Sequence, residues 1–177
     1  AYLDVTRDQA HAVGIAPACL MVEPSARNTA PAILAAALHL AELDSTALML
    51  VAPSDHAIPD TDAFRAAVFA GAVAALDGRI VTFGIRPTRP HEGYGHISRG
   101  APLGAGFKVE KFIEKPKEPL ATQLFQEGRH LWNSGMFLFA PALYLSELAR
   151  FEPDVSAAAE AAFARSSIAD GVRRPDR

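Results

Sequence analysis

A single cysteine in 177 residues leaves no intrachain disulfide to form. That excludes a small stapled secreted scaffold and favours a reducing compartment. The residue, Cys19, lies in the apolar run ACLMV with no basic group beside it. It reads as a small buried hydrophobe rather than a nucleophile. No apolar run reaches the length of a bilayer span, and no charged-then-apolar leader opens the chain. The expectation is a cytoplasmic protein without a membrane partner. An excess of one charge is missing too: the net charge of −3 leaves no electrostatic footprint for nucleic acid. A phosphorylated small molecule stays open, because it needs only a few local cations. There is no internal repeat and no long low-complexity tract. What remains is 50% apolar and 21% charged, the composition and size of one globular domain with a real core.

The chain is organised around residues 47–56, ALMLVAPSDH. A short, continuously apolar run suits a strand buried on both faces of a sheet. Pro53 ends its ladder, having no N–H to donate. Ser54, Asp55 and His56 then arrive together, at the strand end where open α/β sheets bind ligands. Taken alone, Asp55 reads equally as a cap on a loop or helix.

In chain order, residues 2–5 suggest the tail of a strand, followed by a short helix that Gly14 ends. Residues 18–22 read as a buried strand. Asn28 or Thr29 then caps a helix to about Leu43, with Pro31 in its first turn and Ile33, Leu34, Ala37, Leu38 and Ala41 on one face. After the central strand, Asp62 begins a helix with Phe64, Ala67, Val68, Gly71, Ala72 and Ala75 on its apolar face. Asp77-Gly78 stops it, and residues 79–85 form another strand. This β-α-β-α-β order predicts a parallel sheet with right-handed crossovers. Beyond it, residues 86–97 are loop leading into a strand near 95–99, and 107–114 form a strand. Residues 119–127 form a helix ended by Gly128, and 131–140 a strand interrupted by Asn133-Ser134-Gly135. Two helices, 141–150 and 153–165, precede a last dozen residues that read as frayed.

Five polar interruptions fall at loops or strand edges: 25–29, 54–56, 92–96, 114–116 and 133–135. Each has a bland reading. Arg27, Asn28 and Thr29 suit a helix start, and also an anion or carbonyl on its free N–H groups. Gly93-Tyr94-Gly95 suits a turn, and equally a backbone that approaches a sugar closely. Glu114-Lys115-Pro116 places a hydroxyl acceptor beside a phosphate-binding cation, or forms a solvated charge pair. Polar residues within a mostly apolar strand, such as Asn133, need partners if buried, and a ligand is one. Together they supply an acid for a cation, a lysine for a phosphate, and amides for hydroxyls, converging along one rim of a sheet.

In this order and at these spacings, EPSARNTAPAI, LVAPSDH, VTFGIRPTRPHEGYGHI, FIEKPK and WNSGMFLF resemble the bacterial mannose-1-phosphate guanylyltransferase (GDP-mannose pyrophosphorylase) family, over about residues 23–153. The family includes bifunctional enzymes with a phosphomannose isomerase domain. The resemblance implies a Rossmann-like α/β nucleotidyltransferase fold, a mixed, mostly parallel sheet flanked by helices. It implies GMP transfer from GTP to mannose 1-phosphate, giving GDP-mannose and pyrophosphate with Mg²⁺ as cofactor, in polysaccharide biosynthesis. By similarity Arg27, Asn28, Thr29 and Ser54 lie near the guanine nucleotide, and Asp55 is the first of two magnesium carboxylates. Tyr94 and Gly95 face the sugar, Glu114 accepts from a sugar hydroxyl, Lys115 pairs with the sugar phosphate and acts with Asp55 in catalysis, and Asn133 is a further sugar contact.

Two departures lie within the matched stretch. Glu92 stands where the family has Thr, bringing a carboxylate near a phosphosugar, and His96 stands where an aromatic is frequent. The family's glycine-rich triphosphate signature is expected before Ala1 and the second metal carboxylate after Arg177. Residues 1–177 thus read as one partial catalytic domain, short of the first strand and the C-terminal part. An unpaired sheet edge would invite association, and a homodimer is left open. Two alternatives stand beside this reading: a sister nucleotidyltransferase with another base or hexose phosphate, and an inactive sugar-nucleotide-binding or assembly subunit.

Overall fold

In a computed structural model, residues 2–25 and 28–176 are described. The chain forms two compact units, Ala1–Ala47 with Tyr144–Arg177, and Leu48–Leu143.

In the first unit, α1 runs unbroken from Tyr2 to Ala12. The strand expected at residues 2–5 is therefore helix: Asp4 favours the first turn electrostatically, and Arg7, Gln9, Ala10 and Ala12 are good helix formers. Gly14, at φ 76°, closes it as expected, its N–H reaching the His11 carbonyl and that of Ile15 the Ala10 carbonyl, both at 2.9 Å. β1 (Leu20–Met21) pairs in parallel with β8 (Val172–Arg174), which pairs antiparallel with β7 (Ser167–Ala169). α2 (Thr29–Leu43) packs on α6 (Pro153–Ala164), which follows α5 (Pro141–Phe151) in the chain, and Leu34, Ala35, Ala37 and Phe163 are buried. Cys19 is only half-buried, its thiol 3.7 Å from the Leu20 carbonyl.

The end of the chain corrects the frayed reading. Asp170 and Gly171 both take positive φ, 52° and 72°, the two-residue turn that matches strand twist and favours Asp-Gly. The resulting hairpin is pinned by Arg173, which is buried, stacks its guanidinium 4.1 Å from the Phe163 ring centroid and donates to Glu42 at 2.8 Å.

The second unit is built on β6 (His130–Phe139). Met136, Leu138 and Phe139 are buried, together with Met49 of β2 (Met49–Val51), Ile97 of β4 (His96–Leu103) and Leu124 of α4 (Leu120–Glu127). β3 (Val81–Ile85) follows one edge of β6, from Val81 opposite Leu138 to Ile85 opposite Trp132. β4 and β2 divide the other edge. His96, Ile97 and Ser98 pair with Trp132, Leu131 and His130, whereas Met49, Leu50 and Val51 pair with Phe139, Leu138 and Phe137. β5 (Gly106–Ile113) completes the sheet beside β4. α3 (Thr61–Leu76) begins at Asp60, whose carboxylate accepts the Ala63 N–H at 2.9 Å.

Every pairing in this sheet is antiparallel, and among the described residues β1–β8 is the sole parallel pair. The mostly parallel sheet is therefore corrected. β2 and β3 do run in the same direction, as a β-α-β unit requires, but β6 inserts between them. Its apolar faces and length let one strand pair with three others.

Of the glycines in the sheet, Gly84 is the most tightly backed. β3 shifts register between Thr82 and Gly84, and a Cβ at Gly84 would lie 2.7 Å from Leu131 Cβ. Gly84→Ala is expected to destabilise this unit by about 2 kcal/mol through overpacking. Urea unfolding followed by the fluorescence of Trp132, the single tryptophan, measures it.

Candidate active site

The site is a fork. Because β4 pairs with β6 only through Trp132, and β2 only from Phe137 onward, residues 133–136 face no strand on that edge. Gly135 at φ 72° bends the chain there. Local side chains satisfy the bend. Asn133 Oδ1 accepts the Gly135 N–H at 3.2 Å and the Thr82 hydroxyl at 3.3 Å. Ser134 donates to the Phe83 carbonyl at 2.6 Å and accepts from Met136 N–H at 3.1 Å. The Asn133 carboxamide keeps its N–H groups without a partner among the described residues, so they are available to a ligand.

Three of the residues singled out in the sequence meet at this fork. The Asn133 N–H donates to the Gly95 carbonyl at 2.7 Å. A Cβ on Gly95 would lie 3.1 Å from Glu114 Oε2 and 3.0 Å from Phe112 Cζ. Gly95, Glu114 and Asn133 are therefore neighbours although widely spaced in sequence, and glycine is what lets the backbone sit so close to that carboxylate. Lys115 follows with φ 40°, a conformation that side chains other than Asn or Asp rarely take. Its ammonium lies 3.5 Å from Glu114 Oε1 with both side chains exposed, while Pro116 is buried and anchors the segment.

From the other arm, Pro53 ends β2 and its Cγ would stand 3.7 Å from a Cβ on Gly135. Ser54 and Asp55 occupy the turn that follows and are exposed. The Asp55 carboxylate makes no hydrogen bond or ion pair among the described residues. Nor do three or more His, Cys, Asp or Glu side chains gather there as a metal cluster. Asn28 and Thr29 belong to the first unit. Asn28 precedes α2 without a side-chain capping bond, so the cap expected of it is not made and its side chain stays exposed. Arg27 lies outside the described residues.

Both departures have structural explanations. Glu92 stands 3.6 Å from the Lys117 ammonium, which offsets its charge. His96 is buried, and its Nδ1 lies 3.0 Å from the Tyr94 carbonyl, so the ring donates there. Burial holds its pKa below the usual histidine value, with the nearby His130 and His91 adding to the effect and the Tyr94 carbonyl opposing it. Sequence reasoning passed over His91, whose ring stacks on Tyr94 with centroids 4.0 Å apart. The signal was its position two residues before Gly93, the spacing at which a side chain can accept a backbone N–H.

The fold combines helices with a mixed sheet, and a backbone glycine, a carboxylate and a carboxamide meet at a strand fork. A model of the nucleotidyl transferase family matches residues 5–175, and the chain belongs to that family. It is 47% identical over 156 residues to xanthan biosynthesis protein XanB of Xanthomonas campestris pv. campestris strain B100, covering 88% of this chain and 33% of that protein. It is also 47% identical over 153 residues to the mannose-1-phosphate guanylyltransferase of Escherichia coli K12, covering 81% and 31%. The chain spans about a third of the length of these curated relatives. Among solved structures, one described as mannose-6-phosphate isomerase from Helicobacter pylori superposes with TM-score 0.87 at 28% identity, covering 99% of this chain and 69% of that one. Another, described as mannose-1-phosphate geranyltransferase from Thermus thermophilus, gives TM-score 0.77 at 33% identity, covering 96% and 55%. No helix among the described residues is long and apolar enough to cross a membrane.

Proposed function

We propose that this chain belongs to a catalytic domain that transfers GMP from GTP to mannose 1-phosphate, giving GDP-mannose and pyrophosphate. The convergence of Gly95, Glu114 and Asn133 at the β6 fork carries the reading. The names of its relatives support the choice of substrates.

In this reading Glu114 accepts from a hexose hydroxyl, and the Asn133 carboxamide donates to another. Lys115 pairs with the sugar phosphate and orients one of its oxygens toward the α-phosphorus of GTP. That oxygen attacks, the bond to the β-phosphate breaks, and pyrophosphate leaves. The protein needs no covalent intermediate: its work is alignment and charge stabilisation. Ser54 at the turn is assigned to the nucleotide, as are Arg27, Asn28 and Thr29, the last being the first residue of α2. Asp55, an exposed carboxylate without a partner among the described residues, suits Mg²⁺, which takes one or two carboxylates and completes its shell with water and phosphate oxygens. When bound, Mg²⁺ neutralises charge on the reacting phosphates. The half-buried single cysteine fits a reducing setting, and we place the reaction in the cytoplasm.

The test is a matrix of nucleoside triphosphates against hexose 1-phosphates, with the protein that carries this chain. GTP with mannose 1-phosphate is expected to show the highest kcat/KM. A different preferred pair makes it a sister enzyme, and turnover of none leaves a binding subunit.

A further inference from the structure

The loop that brings Gly95 to the fork contains two glycines in three residues, Gly93-Tyr94-Gly95. Left to itself, such a loop samples many conformations, and ordering it would be charged against ligand binding. Two histidines hold it. The Gly93 N–H donates to His91 Nδ1 at 2.9 Å, so that nitrogen is the unprotonated one. The His96 Nδ1 lies 3.0 Å from the Tyr94 carbonyl, an acceptor only, so that nitrogen carries the proton. The His91 ring also stacks on Tyr94 at an interplanar angle of 11° and meets Trp132 edge-on at 5.9 Å. A Cβ on Gly93 would come within 2.8 Å of His91 Cε1, so the ring sits directly against the backbone it holds.

We infer that His91 and His96 are positioning residues for the sugar-phosphate site, gripping successive residues of the Gly93–Gly95 loop, the Gly93 N–H and the Tyr94 carbonyl, through opposite tautomers. The next carbonyl, that of Gly95, is taken by Asn133 N–H. Three consecutive residues are thereby tied through their backbone, and Gly95 is held a fixed short distance from Glu114. A displacement of a few tenths of an ångström at Gly95 would open or close the space between its backbone and that carboxylate, since a Cβ added there lies 3.1 Å from it. Both imidazoles act on the loop: His96 is buried and bound to the Tyr94 carbonyl, and His91 holds Gly93 and stacks on Tyr94. The inference rests on the proposed reaction for its substrate, and on the loop geometry alone for the grip.

Two variants of His91 separate its ring from its acceptor. His91→Phe keeps a ring to stack on Tyr94 and removes the nitrogen. His91→Asn removes the ring and restores an acceptor that reaches the N–H two residues on. With the protein that carries this chain, amide hydrogen exchange at Gly93 is expected to speed about fivefold or more in His91→Phe and to return toward wild type in His91→Asn. KM for mannose 1-phosphate should rise about fivefold in His91→Phe with kcat changed less than about twofold, and recover in His91→Asn. His96→Phe, which fills the buried site without a donor, should raise KM similarly. Unchanged Gly93 exchange in His91→Phe, or His91→Asn as impaired as His91→Phe, overturns the grip. So does an unchanged KM in a protein that turns over mannose 1-phosphate. If the wild type turns over no hexose phosphate, the proposed reaction fails, and the exchange data decide the grip.

Discussion

Lys115→Ala is expected to lower kcat/KM for mannose 1-phosphate by about 10²–10³-fold, the usual loss when a preorganised charge-stabilising group is removed from a site. Two observations set the side chain apart from an ordinary surface lysine. Its backbone is held at φ 40°, between the exposed Glu114 and the buried Pro116, so the direction of the side chain is set by structure and not by chance. Its nearest charge is Glu114 at 3.5 Å, a pair with both members exposed. Exposed pairs of this kind contribute little to stability, so the alanine variant should fold as the wild type does. Circular dichroism and urea midpoint check the fold, and steady-state kinetics check the loss. Lys115→Arg keeps the charge but changes its shape, and should recover part of the rate. Full activity in Lys115→Ala would remove the sugar phosphate from this end of the site.

Asp55→Ala should raise the Mg²⁺ concentration for half-maximal rate about tenfold or more and cut the saturated rate by about 10²-fold. The carboxylate is exposed and makes no hydrogen bond or ion pair among the described residues. A capping role, the bland reading of the sequence, would need a bond to a backbone N–H, and none is made among the described residues. The carboxylate is therefore free for a cation, and its loss should cost the fold nothing measurable. Magnesium titration of the initial rate, repeated with Asp55→Asn, gives the readout. A normal metal response in both variants would end the assignment.

The elements themselves were largely readable. Thr29–Leu43, Thr61–Leu76 and Leu120–Glu127 form helices within a residue or two of where their apolar spacing and turn residues place them. The errors have specific causes. Residues 2–5 are too few to show a period, and helix won because the residues after them favour it. Residues 167–174 read as a loose end, although Asp170-Gly171 is a strong hairpin signal and Arg173 supplies the anchor.

The candidate site residues were marked in local composition: a carboxylate after an apolar run, an acid-base-proline triplet, a glycine-tyrosine-glycine turn, a polar break in an apolar strand. Each of those signals depends only on neighbours in the chain. How they assemble depended on pairings across long separations, which local composition does not encode. The parallel sheet inferred from element order gave way to antiparallel ladders because β6 enters between β2 and β3. That insertion, with β4 and β2 sharing one edge of the same strand, creates the opening at 133–136 where Gly95, Glu114 and Asn133 meet. Backbone hydrogen bonds choose a partner strand from the whole fold, and the fork exists only once that choice is made.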